Sequence, residues 1–183
     1  MRRIPYALAA LLALTVATPS HATTCNLLVD QRGDGRSTII PGMESDQLDI
    51  LSADIASGST TVVVVLRVAS LDPDPRMSGG VKWAVGWALA PTGPHYGVTL
   101  RRPTLSGTYV ADASGIPVTY AVDVPAATIT WTLPRTSFPE LATPGTATFQ
   151  RITASTSPLF ANADAAATHG TYLDQTPSCV PAA

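Results

Sequence analysis

Thr60-Thr-Val-Val-Val-Val-Leu-Arg-Val-Ala69 and Val81-Lys-Trp-Ala-Val-Gly-Trp-Ala-Leu89 decide the architecture of this chain. In the first stretch Val62, Val64, Leu66 and Val68 fall on one face, and Val63, Val65 and Arg67 on the other. β-branched residues suit a pleated surface, and a repeat of two belongs to a strand rather than to a helix. A strand apolar on both faces belongs in the middle of a sheet. In the second stretch Val81, Trp83, Val85, Trp87 and Leu89 share a face, while Lys82, Ala84, Gly86 and Ala88 take the other. The same alternation places Trp131 with Ile129 and Leu133, so all three tryptophans read as core.

Working outward, the period of two recurs. It runs through Tyr96 to Arg101, through Val118, Tyr120, Val122 and Val124, and through Ala147 to Ala154 with Phe149 and Ile152. Turn-forming clusters separate the runs: Asp72-Pro-Asp-Pro75, Ser78-Gly-Gly80, Pro91-Thr-Gly-Pro94, Ala113-Ser-Gly115 and Pro144-Gly145. Helical spacing is confined to single turns at Ser137–Leu141 and Asp164–Thr168. These features predict an all-β fold, an antiparallel β-sandwich of jelly-roll or immunoglobulin-like type, with little helix.

The ends of the chain predict export. Met1-Arg-Arg3 is a positive start, Ala7 to Val16 is apolar, and Ser20-His-Ala22 offers small residues for cleavage after Ala22. Residues 1–22 therefore read as a secretory signal peptide, with an apolar run too short to span a bilayer. Residues 23–183 then form a single β-sandwich domain, and the expected location is secreted and extracellular. Cys25 and Cys179 are the two cysteines of the chain. In an exported protein such a pair is expected to form a disulfide, here joining the two ends. Closing so long a loop would be worth about 4–5 kcal/mol by chain entropy. The residues before Cys25 do not form a lipoprotein box.

Composition narrows the function classes. Charged residues make up 13% of the 183 residues, which excludes a charge-driven disordered chain and a coiled coil. Without Arg2 and Arg3 the basic count falls from 11 to 9 against 13 acids, so no nucleic-acid partner is expected. No apolar segment after the signal is long enough for a membrane span.

The opening Cys25-Asn-Leu-Leu-Val-Asp-Gln-Arg-Gly-Asp34 is followed by Leu48-Asp-Ile-Leu-Ser-Ala-Asp-Ile55, the strand Val62–Val68 and Val124-Pro125. This order resembles secreted bacterial β-sandwiches of the DOMON-like superfamily, which includes family-nine carbohydrate-binding modules. Thr171-Tyr-Leu-Asp174 and Ser178-Cys179 fit uncharacterised secreted proteins of that kind. The resemblance implies a sandwich that binds sugar or haem in some relatives. Neither role carries over residue by residue. An axial pair for haem would have to come from Met43, Met77, His95 and His169, which no motif places together. The tyrosines near turns or the chain end, Tyr96, Tyr109 and Tyr172, are the candidate sugar platforms.

For catalysis, His95 and His169 lie in turns, and neither a Gly-x-Ser-x-Gly elbow nor a His-Glu-x-x-His motif accompanies them. A non-enzyme is expected. For metal, Asp30, Asp34, Asp46, Asp49 and Asp54 cluster in sequence, and Gly33 and Gly35 would let a loop fold around a hard cation. Asp30, Asp34 and Asp49 are the candidate ligands, and calcium, with its six to eight oxygen ligands, is the candidate ion. The expected function is a secreted, non-catalytic binding module for an extracellular glycan. The alternative is a structural or protein-interaction domain of the cell envelope, and a third class is a hydrolase with an unrecognised site.

Overall fold

The computed structural model describes residues 25–35, 44–143 and 147–159. The proposed signal peptide, Cys179, Tyr172, His169, Met43 and the turn at Asp164–Thr168 lie outside them. Among the described residues nine strands run in order: β1 (Cys25–Val29), β2 (Ile50–Ser57), β3 (Thr61–Val68), β4 (Val81–Ala88), β5 (His95–Arg102), β6 (Val110–Asp112), β7 (Thr119–Asp123), β8 (Thr128–Pro134) and β9 (Gln150–Pro158). Helix among the described residues is limited to three one-turn 3-10 segments, Pro75–Met77, Arg135–Ser137 and Pro139–Leu141. The last two cover the turn expected at 137–141.

The strands form two antiparallel sheets, β1-β2-β3-β8-β7 and β6-β5-β4-β9. The two decisive stretches lie inside these sheets: β3 sits between β2 and β8, and β4 between β5 and β9. The inward faces carry the expected residues. Val62, Val64, Leu66 and Val68 of β3, Val81, Trp83, Val85 and Trp87 of β4, and Ile129, Trp131 and Leu133 of β8 are buried in one shared core. Burying each such side chain is worth about 1.5–3 kcal/mol, which outweighs any local preference of the chain.

Two of the three tryptophan nitrogens link the sheets, while that of Trp87 is buried without a partner. Trp131 Nε1 donates to the carbonyl of Thr99 on β5 at 3.2 Å, and Trp83 Nε1 to that of Gln47, just before β2, at 2.9 Å. Thr156 on β9 adds a hydroxyl bond to the Leu48 carbonyl at 2.6 Å. A buried polar atom without such a partner would cost about 1–3 kcal/mol.

Strict alternation fails at two places. At the start of β9 the buried residues Phe149, just before the strand, and Ile152 are three apart. Arg151 takes a left-handed φ of 52°, and the pairing with β4 slips between Gly86 and Ala88, so a bulge turns both side chains inward. Along β7 the expected apolar face is half open: Tyr120 is 40% exposed, and Val124, just after the strand, 38%. Among the described residues β7 is an edge strand. There the Tyr120 hydroxyl donates to the Tyr109 carbonyl, just before the three-residue β6, at 2.9 Å.

Candidate functional site

The β1–β2 connection brings the candidate metal ligands together. Asp30 follows β1 and is fixed by its N–H to the Leu51 carbonyl at 3.0 Å. The chain then turns through Gly33, whose φ of +102° is available to glycine without strain. Gly35 lies against the backbone of Asp49 so closely that a β-carbon there would stand 2.5 Å from the Asp49 nitrogen. The result is a loop wrapped around Asp49. Gly33 N–H donates to Asp49 Oδ2 at 2.8 Å. One carboxylate oxygen from each of Asp30, Asp34 and Asp49 lies within 4.8 Å of the others. Asp34 is exposed, Asp30 half-buried, and Asp49 only 2% exposed. Burial above all, and then the charge of Asp34, raise the Asp49 carboxyl above the ordinary carboxylate range, against the Gly33 N–H that favours the anion. Asp46 and Asp54, acids of the same stretch, stand apart: Asp54 pairs with Val65 in the middle of β2, and Asp46 faces the neighbouring cleft.

That cleft is open, holds about 520 Å³ and is lined by Glu44, Ser45, Asp46, Gln47, Asp72, Asp74 and Arg76, with Gly33, Gly35 and Asp49 joining it to the carboxylate triad. Gln47 organises its floor. Buried at 1% exposure, its side-chain amide donates to the Asp72 carbonyl and accepts from Arg102 Nη2 at 2.9 Å. Arg102 is itself buried, with its guanidinium 5.9 Å from the centre of the Trp83 ring. Asp74 is held as a carboxylate. It caps the 3-10 turn by accepting from Arg76 N at 3.0 Å, takes the Arg76 guanidinium at 2.8 Å, and accepts the Ser45 hydroxyl at 2.7 Å. These bonds, those from Arg76 foremost, hold its carboxyl below the ordinary range. Asp46 and Asp72 are exposed and available to a ligand.

The tyrosines fall elsewhere. Tyr96 on β5 is half-buried between Trp87, at 6.2 Å between ring centres, and Phe138, at 4.9 Å edge-on. Its hydroxyl donates to both Glu140 oxygens, at 2.8 and 3.0 Å. Tyr109 leans on Trp83 at 6.3 Å. Trp83 and Trp87 lie four residues apart on one strand, about 13 Å, so Tyr96 and Tyr109 mark different places along the core and do not converge on a platform. Met77 is buried just before β4, while exposed His95 pairs with Ala88 at the other end of that strand. They do not flank a common pocket.

Burial, and then the Glu140 carboxylate, push the Tyr96 phenol up to about 12 from 10.0. The sign follows from proton binding: the folded chain holds this proton more tightly than the unfolded chain. The stability this supplies is complete below pH 10 and disappears as pH rises through about 12. A spectrophotometric titration should show one tyrosine ionising near pH 12, and Tyr96→Phe should remove that step. An unchanged titration curve in Tyr96→Phe would contradict the assignment.

No protein-family model matches the chain, and no curated protein matches it in sequence. No helix among the described residues is long and apolar enough to cross a membrane.

Proposed function

We propose that this chain is a secreted, non-catalytic recognition module that takes an extracellular glycan in the acidic cleft. The observation that carries the reading is the character of that cleft: an open cavity of about 520 Å³ lined by carboxylates, two serines and an amide. Sugar hydroxyls are donors in pairs, and fixed carboxylates accept them in pairs. The floor is rigid, because Gln47 is tied to Arg102 and to the Asp72 carbonyl. A preorganised floor lowers the ordering cost of binding. Outside the triad, the carboxylates of Glu44, Asp46, Asp72 and Asp74 against one guanidinium set the specificity. The ligand is a neutral or amine-bearing glycan, and uronate-rich or sulfated chains are repelled.

The resemblance of the Asp30–Asp34 opening and the Leu48–Ile55 phrase to DOMON-like and family-nine carbohydrate-binding sandwiches supports the same reading. So does the signal-like leader. The contact residues proposed are Asp46 and Asp72, in place of a platform of Tyr96, Tyr109 and Tyr172. Residues 23–183, expressed with the Cys25–Cys179 disulfide proposed above, should bind neutral or amino-sugar oligosaccharides on a glycan array. The double variant Asp46→Asn, Asp72→Asn should lose at least tenfold in affinity without a change in melting temperature. A blank array would move the protein to the envelope-interaction reading.

A further inference from the structure

We propose that Asp30, Asp34 and Asp49 bind one calcium ion, which clamps the β1–β2 loop onto the start of β2. The proposal stands independently of the glycan reading. The three carboxylate oxygens lie within 4.8 Å of one another. Two oxygens bound to one Ca²⁺ at 2.3–2.6 Å can be at most about 5 Å apart, so the triad has the reach of a single coordination sphere.

A second observation points to a ligand. Asp49 is 2% exposed, and its Oδ2 accepts the Gly33 N–H, yet its Oδ1 is buried without any hydrogen-bond partner. Buried carboxylate oxygens are ordinarily paired or metal-bound, because an unsatisfied one carries the full cost of lost hydration. The carboxylates of Asp30 and Asp34 stand close by and add repulsion where attraction is needed. A divalent cation removes both penalties together.

The loop is shaped to hold the carboxylates rather than to separate them. Gly33 uses a φ of +102°, and Gly35 packs directly on the Asp49 backbone, so the chain around Asp49 cannot relax outward through side-chain movement alone. Three hard oxygen donors without nitrogen or sulfur select calcium or magnesium over zinc. Half-buried Asp30 and exposed Asp34 leave one side open to water, which suits the larger and less demanding sphere of calcium.

The test uses the mature chain, stripped with chelator and titrated calorimetrically with CaCl₂ and with MgCl₂. One equivalent of Ca²⁺ should bind, at least tenfold more tightly than Mg²⁺. At saturating Ca²⁺ the melting temperature should rise by about 5 °C. Asp34→Asn, at an exposed position, should fold normally and weaken Ca²⁺ at least tenfold, and Asp49→Asn should abolish binding. Asp46→Asn, in the adjoining cleft, should leave Ca²⁺ affinity unchanged. Absence of Ca²⁺ binding at millimolar concentrations would overturn the proposal. So would equal affinity for Mg²⁺, or binding that survives Asp34→Asn but is lost in Asp46→Asn.

Discussion

Trp83→Ala should lower the folding stability by about 3–5 kcal/mol, the range of large aromatic deletions from closed cores. Trp83 is fully buried on β4, donates its indole N–H to the Gln47 carbonyl at 2.9 Å, and lies 5.9 Å beneath the Arg102 guanidinium. Its removal opens a cavity and strips Gln47 of a tether. It also leaves Arg102, whose Nε already has no hydrogen-bond partner, without its aromatic face. Urea denaturation should report a midpoint lowered by about 2 M at unchanged slope. Trp83→Phe keeps much of the ring and loses the N–H, so it should cost about 1–2 kcal/mol. A loss below about 1 kcal/mol in the alanine variant would mean that Trp83 does not fill the space between the sheets.

Gly80→Ala is the other large effect, and it isolates backbone from side chain. Gly80 enters β4 with a φ of +99°, its N–H on the Met77 carbonyl and its own carbonyl accepting from Leu159 N–H, both at 2.8 Å. A β-carbon there would stand 2.2 Å from the Arg102 carbonyl oxygen and 2.7 Å from the Pro103 backbone. Neither neighbour is a flexible side-chain end, so β4 and β5 would have to separate. The expected loss is about 3 kcal/mol, joining left-handed strain to a clash. Gly115 is the control. Its φ of +86° is comparable, but a β-carbon there meets nothing within 4 Å. Gly115→Ala should cost about 1 kcal/mol, measured by the same urea transitions. Equal losses at the two sites would rule out the close approach at Gly80.

Much of this architecture was legible because the strongest strands obey their period without interruption. Val62 to Val68 and Val81 to Leu89 each commit one face to the core, and burial follows that commitment. Reading failed where polar residues do apolar work or where register slips. β9 runs on through Ser155, Thr156 and Ser157, and a hydroxyl bond to Leu48 lets Thr156 be buried. The bulge at Arg151 has no local sequence mark. The carboxylate triad could be anticipated, because Gly33 and Gly35 flank Asp34 and make a tight loop affordable. The cleft could not. Asp72 and Asp74 read as turn residues, and their meeting with Ser45 and Gln47 depends on the crossing from β3 to β4. Nor does composition announce that Arg102 would be buried with an amide and an aromatic ring rather than an acid.

The pairing order also sets when the fold can close. β3 finds its second neighbour only at Thr128–Pro134, and β4 only at Gln150–Pro158. The middle strand of each layer therefore waits for partners made far later in synthesis, and such distant pairings are slow to form. A nascent chain ending before Gln150 has one border of β4 with its peptide groups unmet. Such an intermediate stays open along β4 until β9 arrives, which keeps it threadable and, for the same interval, prone to stick to its own kind.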